Sequence, residues 1–289
     1  MIIVSGGTGQ LGRQVVEKLL ELVPAERVGV SVRDPGKAGD LAARGVRVRR
    51  GDFAEPETLA EAFDGAERVL VVSVDQIGEA AVARHAAAID AAAKAGAGRI
   101  LYTSHQAANP ASAFAPMPDH AATERHLQST GVPYVALRNG FYASTVPHLI
   151  GGALQTGELL APADGPVSWT THADLAEAAA RVLADDDAAG FDGPTPPLTA
   201  AEALDLTTVA ALLSVRTGRP IRRVVAGDEE WVAATIAHGV PAEQANMLLG
   251  MFVAARNGEF AVIDPALDRL LGRRPATVGT VMEGVAGLL

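Results

Sequence analysis

The chain opens with Met1-Ile-Ile-Val-Ser-Gly-Gly-Thr-Gly-Gln-Leu-Gly12, where a short apolar run leads directly into a cluster of glycines. The β-branched residues at the start of this stretch predict a buried parallel strand. Apolar residues then recur at helical spacing through Leu11, Val15 and Leu19, which predicts an amphipathic helix. A strand, a glycine turn and a helix in this order are typical of a dinucleotide-binding unit. Glycines let the main chain approach a pyrophosphate, and the helix N-terminus attracts its charge.

The glycines of this stretch fit two dinucleotide-binding patterns and also begin an unrelated one. Positions 6, 9 and 12 match G-x-x-G-x-x-G, and positions 7, 9 and 12 match G-x-G-x-x-G. The segment from Gly7 to Gly12 also begins like a P-loop. However, Arg13-Gln14 follows where that loop needs a lysine for the phosphates and a hydroxyl for magnesium. The stretch therefore favours a dinucleotide over a nucleoside triphosphate.

The composition limits the classes of protein to which the chain can belong. Its 289 residues suffice for one large or two modest domains, and 48% hydrophobic with 20% charged residues is typical of a globular protein. The absence of cysteine excludes disulfides, thiolate catalysis and zinc–thiolate sites. A net charge of −10 argues against nucleic-acid binding, because the phosphates would be repelled.

Neither a membrane segment nor a metal site is indicated by the sequence. The first residues predict a strand rather than the basic and apolar regions of a secretory signal, and no run of about 18 uncharged apolar residues occurs. Six histidines show no metal-ligand spacing and are interpreted as surface or packing residues, at positions 85, 105, 126, 148, 172 and 238. We therefore expect a cytoplasmic protein that uses neither a membrane nor a metal.

Beyond the first helix, short apolar strands alternate with helices, and the connections are only a few residues long. Further strands are predicted over residues 28–32, 46–50, 68–74, 99–103 and 134–137. Helices are predicted between them over residues 37–44, 57–63, 79–95 and 119–130, with a loop over residues 109–118. This alternation predicts a Rossmann-type α/β fold, a doubly wound parallel sheet whose ligands bind beyond the carboxyl ends of the strands.

The regular alternation fades after the sixth strand. Later helices are predicted over residues 173–183, 207–217, 228–238, 243–255, 264–271 and 278–288, with one short strand over residues 221–225. We therefore predict a dinucleotide-binding domain over residues 1–150, to which residues 166–190 return. A smaller, mainly helical domain over residues 191–289 is expected to cover a substrate.

Arg33 directly follows the second predicted strand, at the point where a dinucleotide-binding fold meets the adenosine ribose. An acidic residue there binds the 2′-hydroxyl of NAD, whereas an arginine suits the 2′-phosphate of NADP. A charge-assisted contact of about 1.5–3 kcal/mol would favour NADPH over NADH by roughly 10- to 100-fold. NADP(H) is therefore the expected cofactor. NAD(H) remains the alternative, in which Arg33 is an ordinary surface residue paired with Asp34.

Several stretches together resemble one family, the NmrA-like atypical short-chain dehydrogenase/reductases, and within it the quinone oxidoreductase type 2 group. They follow the family's order over roughly residues 1–190. The matching stretches are Gly6-Gly-Thr-Gly-Gln-Leu-Gly12, Val32-Arg-Asp-Pro35, Gly51-Asp-Phe53, Val71-Val-Ser73, Tyr102-Thr-Ser104, His120-Ala-Ala-Thr-Glu124 and Leu137-Arg-Asn-Gly-Phe-Tyr142. The helical tail is compatible in length but carries little of the family's signature.

The resemblance implies that cofactor-binding residues follow the carboxyl ends of the predicted strands. These residues are Gly6, Thr8, Gly9, Gln10 and Leu11 at the pyrophosphate, Arg33 at the 2′-phosphate, Asp52 and Phe53 at the adenine, Ser73 beneath the ribose and nicotinamide, and Ser104 and Asn139 beside the nicotinamide and the substrate. No flavin is expected, since the hydride can pass directly from the nicotinamide.

One departure concerns the Tyr-x-x-x-Lys pair of typical short-chain dehydrogenases, whose lysine lowers the tyrosine pKa so that the phenol can protonate a carbonyl. The corresponding helix here carries His120-x-x-x-Glu124, one turn apart on one face, as in the quinone oxidoreductase type 2 group. Reduction of ordinary ketones is therefore not expected. Quinones accept a hydride more readily, and the candidate catalytic residues His120 and Tyr142 would supply a proton or a hydrogen bond to the developing oxyanion. Alternatively, His120 only holds Glu124 or the loop in place, and Tyr142 only forms a wall of the pocket.

The resemblance implies NAD(P)H-dependent reduction of a quinone, and the alanine-, valine- and arginine-rich usage resembles that of actinobacterial relatives. Some of these reduce polycyclic aromatic polyketides in antibiotic biosynthesis, as one half of a hydroxylating monooxygenase system. The expected partners are therefore a small quinone and either a second copy of the chain or a hydroxylase. A non-catalytic NAD(P)-binding redox sensor is the main alternative, and a reductase or isomerase of another metabolite is a third.

Overall fold

A parallel sheet forms the centre of the protein in the computed structural model, which describes residues 1–286. The strands are β1 (Ile2–Ser5), β2 (Val28–Val32), β3 (Arg47–Arg50), β4 (Arg68–Val71), β5 (Arg99–His105), β6 (Tyr134–Asn139), β7 (Glu158–Pro162), β8 (Gly193–Pro194) and β9 (Arg222–Ala226). Seven of them form the central sheet in the order β3-β2-β1-β4-β5-β6-β8. The other two, β7 and β9, pair in parallel as a separate small sheet.

The order of the strands places a crevice at the middle of the sheet. Every residue of β1 and β2 is buried, as expected for strands covered on both faces by helices. β1 pairs with β2 on one side and with β4 on the other, so that Ile3 lies opposite both Gly29 and Val69. The chain therefore changes direction across the sheet between β1 and β4. Ligands of such sheets bind at the carboxyl ends of the strands at this switch point.

Helices cover both faces of the central sheet and build most of the tail. They are α1 (Gln10–Leu19), α2 (Gly39–Ala43), α3 (Leu59–Phe63), α4 (Glu79–Lys94), α5 (Pro116–Ser129), α6 (Val146–Ile150), α7 (Ala153–Thr156), α8 (His172–Ala184), α9 (Leu206–Thr217), α10 (Asp228–Ala237), α11 (Ala242–Arg256), α12 (Ala266–Leu271) and α13 (Val278–Ala286). One apolar core joins the sheet to α1, α2, α8 and α12, and a second joins it to α3, α4 and α5. The predicted doubly wound α/β fold with a mainly helical tail is confirmed.

A third apolar core follows the carboxyl ends of β5 and β6 and connects the tail to the sheet. Its members include Phe141, Trp169, Phe252 and Phe260. The division into domains at residues 150 and 191 stays a prediction. α8 packs against α1, and beyond residue 191 β8 joins the central sheet and α12 packs against α8.

The structure differs from the predicted elements mainly where a proline begins a helix or where a strand pairs with a segment far away in the sequence. The helices predicted over residues 37–44 and 57–63 begin as 3₁₀ turns at Pro35–Ala38 and Pro56–Thr58, because proline fits the first turn of a helix. For the same reason α5 begins at Pro116, inside the predicted loop. β7 was not predicted, since its partner β9 lies about 60 residues later in the sequence. The last two residues of the helix predicted over 278–288 lie outside the described part of the chain.

Among residues 1–286, no helix is both long and apolar enough to cross a membrane.

Candidate active site

The turn between β1 and α1, which we call the glycine turn (residues 6–12), leaves its backbone open to a ligand. Gly6 has a φ of +61°, which favours glycine, and a Cβ at Gly12 would overlap the carbonyl oxygen of Gly6. Gly9 is the N-cap of α1 and has no side chain that could bond the first helical N–H groups. Gly6, Thr8, Gly9 and Gln10 are exposed, whereas the side chain of Leu11 is buried. This cradle fits the pyrophosphate of a dinucleotide.

The residues predicted for the adenosine follow the adjacent strands β2 and β3. Arg33 is exposed immediately after β2, and within residues 1–286 no ion pair joins it to Asp34. Asp34 instead accepts a hydrogen bond from the Gly36 N–H at 3.0 Å. After β3, one carboxylate oxygen of Asp52 accepts the Ala54 N–H at 2.9 Å, and Phe53 is half-buried. The Arg33 guanidinium is therefore available to a phosphate at this end of the crevice.

Ser73 lies at the switch point, in a hydrogen-bonded row of small polar side chains. Its N–H donates to Thr103 Oγ1 at 2.8 Å, and the Thr103 hydroxyl donates to Ser73 Oγ at 3.1 Å. On the other side of β4, the Val72 N–H donates to Ser5 Oγ at 2.8 Å. These bonds connect the carboxyl ends of β1, β4 and β5 and so hold the floor of the crevice in place.

Glu124 is held by a separate set of contacts on α5. Its carboxylate accepts the Ser104 hydroxyl at 2.6 Å and two N–H groups of Arg138 at 3.0 and 2.7 Å. Glu124 is buried, whereas the Arg138 side chain is about one third exposed. The ion pair raises the pKa of Arg138. We call the carboxyl ends of β5 and β6, where the resemblance implies a substrate, the substrate edge. Because the carboxylate already has these partners, Ser104 and Glu124 support this edge and are not free acid or base groups.

His120, one turn before Glu124, contacts a buried tyrosine instead. Its Nδ1 lies 2.8 Å from the Tyr102 hydroxyl, which also lies 3.4 Å from Nδ1 of His85. Nε2 of His85 accepts the Val74 N–H at 3.0 Å, and its Nδ1 lies 3.1 Å from Thr123 Oγ1. We call the four side chains of His85, Tyr102, His120 and Thr123 the His120 network. Within residues 1–286 no hydrogen bond joins His120 to Glu124, and the alternative in which His120 only holds Glu124 or the loop in place stays a prediction.

Burial keeps the imidazoles of this region neutral. It lowers the pKa of His85 to about 4 and that of His105 to about 3. The pKa of His120 lies well below its ordinary value, first because of burial and then because of the neighbouring His105 and His85. The ring of His105 stacks on that of His120, with centroids 6.2 Å apart. Burial also raises the pKa of the Tyr102 phenol. A charged imidazolium at position 120 is therefore disfavoured at neutral pH.

Tyr142 and Asn139 follow β6 but do not join the His120 network. The Tyr142 ring packs on His172 at the start of α8, with centroids 4.3 Å apart, and Tyr142 borders the core that contains α1. Burial raises the pKa of its phenol, an effect that the nearby Asn139 amide partly offsets. Asn139 is buried, and its side-chain oxygen has no hydrogen-bond partner among the described residues. An unpartnered buried amide oxygen at the carboxyl end of a strand fits a group that binds a ligand.

An aromatic cluster, formed by Phe114, Phe141, Trp169 and Phe260, adjoins the substrate edge. Phe141 packs on Phe260 with centroids 4.9 Å apart and on Trp169 at 5.4 Å. His105 meets the edges of both Phe141 and Phe260. The apolar surroundings of His105 therefore come in part from Phe141, just after β6, and from Phe260 of the tail.

Sequence reasoning missed three members of this region. His85 and His105 were interpreted as surface or packing residues, and Tyr102 was noted only within a matching stretch. A usable signal exists in β5, where residues two apart face the same side of the sheet. Tyr102 and Ser104 are such a pair, and they contact His120 and Glu124 of α5 respectively. His85, in contrast, comes from α4 and carries no local signal.

Two other features of the described residues lie outside this site. A groove of about 650 Å³ is lined by Arg99, Tyr134 and Phe191 among others, and thus lies at the amino ends of β5 and β6, opposite the glycine turn. Within residues 1–286, no group of three His, Cys, Asp or Glu side chains is placed to hold a metal ion.

Comparison with known proteins agrees with this geometry. The NmrA-like family matches residues 1–278. Quinone oxidoreductase 2 of Escherichia coli is 35% identical over 289 residues, covering 100% of this chain and 98% of that protein. NAD(P)H azoreductase of Xenophilus azovorans is 31% identical over 96% of this chain and 95% of its own. The structure of an NADPH-dependent quinone oxidoreductase from Escherichia coli complexed with NADPH superimposes with a TM-score of 0.92 at 33% identity, covering 99% of both chains.

The likeness extends over the glycine turn, the substrate edge and the helical tail, and it confirms the resemblance seen in the sequence. The chain belongs to the NmrA-like family.

Proposed function

We propose that this chain is an NADPH-dependent quinone reductase that needs no flavin. The proposal rests on the residues that stand in place of the Tyr-x-x-x-Lys pair. The corresponding helix carries His120 and Glu124, and neither side chain can act as a strong acid toward a carbonyl. His120 is neutral, and Glu124 is committed to Arg138 and Ser104. A site without a strong acid suits an acceptor whose reduced form is a delocalised phenolate. The relatives named as quinone oxidoreductase and NAD(P)H azoreductase support a reductase of such acceptors.

The cofactor is assigned to the crevice at the switch point. NADPH, when bound, would supply a hydride to the quinone, and the resulting hydroquinone anion would take one proton from solvent. The residues proposed to hold it are Gly6, Thr8, Gly9, Gln10 and Leu11 at the pyrophosphate, Arg33 at the 2′-phosphate, Asp52 and Phe53 at the adenine, and Ser73, Ser104 and Asn139 toward the nicotinamide. The unpaired Arg33 supports NADPH over NADH, and the complex of the relative with NADPH supports the same choice.

The substrate is assigned to the edge formed by the ends of β5 and β6. His120 and Tyr142 approach this edge from opposite faces of the sheet, since one lies on α5 and the other borders the α1 core. Both remain uncharged at neutral pH and can donate a hydrogen bond to an oxygen that gains charge. In the adjoining aromatic cluster Phe141, Trp169 and Phe260 are buried, but Phe114 is partly exposed and supports an apolar aromatic substrate.

A narrower substrate class is proposed on the same basis. A polycyclic aromatic polyketide quinone would be such a substrate. Its hydroquinone would then react with O2, alone or through a partner hydroxylase, to give a hydroxylated quinone and water. The reductase would thereby form one half of a monooxygenase step in antibiotic biosynthesis. A second copy of the chain or the hydroxylase is the proposed protein partner.

The test is NADPH consumption with benzoquinone, naphthoquinone and anthraquinone, each measured with and without oxygen. Rapid consumption with at least one quinone under anaerobic conditions is the expected result, and extra oxygen uptake with a hydroxylated product would support the polyketide step. Tight NADPH binding without turnover of any quinone would overturn the reductase and favour a redox sensor. The missing Tyr-x-x-x-Lys pair is compatible with such a sensor.

The role of the substrate edge is tested with two histidines of the same helix. His120→Gln should lower kcat/KM for the quinone by about 10-fold, as expected for loss of one hydrogen bond in the transition state, and should leave NADPH affinity unchanged. His126, which bonds Asp90 of α4 and is not part of the His120 network, provides the matched control in His126→Gln. Equal activity of both variants would contradict the assignment of His120.

A further inference from the structure

The positions of the protons in the His120 network can be deduced one bond at a time, starting at a backbone amide. The Val74 N–H donates to Nε2 of His85 at 3.0 Å, so this nitrogen carries no proton of its own. His85 is buried and its pKa is about 4, so its ring is neutral at pH 7. A neutral imidazole with a bare Nε2 carries its proton on Nδ1.

The Nδ1 proton of His85 determines to which atom the Tyr102 hydroxyl can donate its hydrogen bond. It faces Thr123 Oγ1 at 3.1 Å and the Tyr102 oxygen at 3.4 Å. Thr123 donates its own proton to the Asp119 carbonyl at 2.9 Å and can therefore accept from His85. Since His85 offers Tyr102 no free lone pair, the phenol donates to the nearer imidazole nitrogen, Nδ1 of His120, at 2.8 Å.

Neutrality of His120 completes the assignment. The groups that face it are uncharged: Tyr102 on β5, His105 at the end of β5 and His85 on α4. The two carboxylates on α5 have other partners, since Asp119 accepts the Gly78 N–H at 2.6 Å and Glu124 pairs with Arg138. Nδ1 accepts from Tyr102, so the single proton of the neutral ring lies on Nε2.

We propose that Tyr102 and His85 are positioning residues that hold His120 as its Nε2–H tautomer, so that a neutral imidazole donates a hydrogen bond to the substrate oxygen. The proposal rests on the proposed reductase function for the identity of that oxygen. Among the described residues Nε2 has no hydrogen-bond partner, and the side chain is partly exposed. This nitrogen is therefore the one that remains available to a ligand.

A neutral donor acts differently from a protonated histidine. It stabilises negative charge as this develops on a quinone oxygen, and it keeps its own proton, because a neutral imidazole is a very weak acid. The reduced anion then takes its proton from water. The ring of His105 lies beside that of His120, with centroids 6.2 Å apart. The Tyr102 hydroxyl fixes which nitrogen is the donor.

The tautomer is measured directly by NMR of the full-length chain labelled with ¹⁵N-histidine, at pH 7, with and without NADPH. His120→Gln identifies the resonances of residue 120. The expected wild-type spectrum shows a protonated Nε2 and a bare, hydrogen-bonded Nδ1. A protonated Nδ1, or a doubly protonated ring, at residue 120 would overturn the proposal without any measurement of activity.

The positioning role is tested with matched tyrosine variants. Tyr102→Phe removes the donor to Nδ1, so residue 120 should become a mixture of tautomers, and kcat for the quinone should fall by about 3- to 10-fold with NADPH affinity unchanged. Tyr134→Phe, at the start of β6 and outside the network, should change neither quantity. An unchanged spectrum in Tyr102→Phe would overturn the role of Tyr102.

These measurements separate this proposal from the proposed function. If no quinone is reduced but the Nε2–H tautomer depends on Tyr102, the reductase function fails and the positioning of His120 stands. If quinones are reduced and the tautomer is the wrong one, only the positioning fails. If Tyr102→Phe does not fold, the wild-type spectrum alone still tests the tautomer.

Discussion

The glycine turn and the His120 network lie at the same edge of the sheet, but they are built from different parts of the chain. The glycine turn is one continuous segment, residues 6–12, which contains no titratable side chain. Its proposed contacts with the cofactor are made by the backbone. The His120 network joins side chains of α4, β5 and α5, and its atoms are held by burial and by a single sequence of hydrogen bonds.

This difference predicts two kinds of sensitivity. The glycine turn should respond to added volume and hardly at all to pH, because its function depends on close approach of the backbone. The His120 network should respond to protons and to the removal of single polar atoms, because its function depends on which nitrogen carries a proton. Four experiments test this contrast.

The largest effect on the free energy of unfolding is expected from lowering the pH, because the histidines are titratable and the glycine turn is not. The pKa of His85 is about 4 and that of His105 about 3 in the folded chain, against about 6.5 when unfolded. Between these values the unfolded chain binds more protons, so stability is present above about pH 6.5 and is lost as the pH falls toward the folded pKa. Each histidine should contribute a loss of up to about 2 kcal/mol between pH 7 and pH 5.

The measurement is urea unfolding at pH 7, 6 and 5. His105→Phe keeps an aromatic ring among Phe141 and Phe260 and should reduce the dependence on pH. His148→Gln changes an exposed histidine and should leave the dependence as it is. Equal free energies of unfolding at pH 5 and pH 7 would show that these rings are not buried as neutral groups.

The next effect concerns volume in the glycine turn. A Cβ in Gly12→Ala would overlap the carbonyl oxygen of Gly6, a backbone atom that cannot move cheaply. We expect a loss of about 1–3 kcal/mol in stability from this overpacking, and NADPH affinity that is weaker by roughly 10-fold or more because the cradle is deformed.

The matched control is Gly39→Ala, because a Cβ at Gly39 in α2 would meet no atom within 4 Å. That variant should bind NADPH normally and be slightly more stable, since alanine favours a helix over glycine. NADPH titration and thermal unfolding measure both variants. Normal NADPH binding by Gly12→Ala would show that the cofactor does not need the close approach of α1 and β1.

Cofactor choice gives an effect of intermediate size. Arg33→Ala should weaken NADPH binding by roughly 10- to 100-fold and leave NADH binding nearly unchanged, because only NADPH carries the 2′-phosphate. Arg44→Ala removes a cation that is already paired with Glu17 and serves as the control. An unchanged ratio of the two affinities in Arg33→Ala would refute the assignment of the 2′-phosphate.

The fold was largely predictable because it depends on local patterns. β2 was predicted with its observed bounds, since a short run of buried apolar residues and its flanking turns specify a parallel strand without reference to distant residues. The glycine turn was predictable for the same reason. β7 was missed, because this short, partly buried strand is specified by its pairing with β9 and not by its own sequence.

The candidate site was predicted only in part, for a related reason. Arg33, at the end of β2, could be placed by topology, and His120, on α5, by the resemblance to the family. The protonation of His120 could not, since it depends on Tyr102, 18 residues away, and on His85, which contacts Tyr102 from α4. Burial of titratable groups follows from three-dimensional packing, and no spacing in the sequence reports it.

The smallest effect on activity is expected from substitution of Glu124, which stands where typical short-chain dehydrogenases have the lysine of Tyr-x-x-x-Lys. This substitution tests whether Glu124 serves catalysis or stability. Glu124→Gln removes the charge that faces Arg138 but keeps hydrogen-bonding atoms near Ser104. Because Arg138 can still reach water, we expect a loss of only about 1–2 kcal/mol in stability. Since the carboxylate is not free to exchange a proton with a substrate, kcat for the quinone should stay within about 3-fold of the wild-type value.

Glu21→Gln, in the exposed pair with Lys18, is the matched control and should change stability by no more than about 0.5 kcal/mol. Urea unfolding and steady-state kinetics separate the two roles of Glu124. A large loss of kcat at unchanged stability would place Glu124 among the catalytic residues, and the substrate edge would then contain an acid–base pair after all. A loss of stability at nearly constant kcat would leave His120 alone on α5 to act on the substrate, with Glu124 holding the helix that carries it.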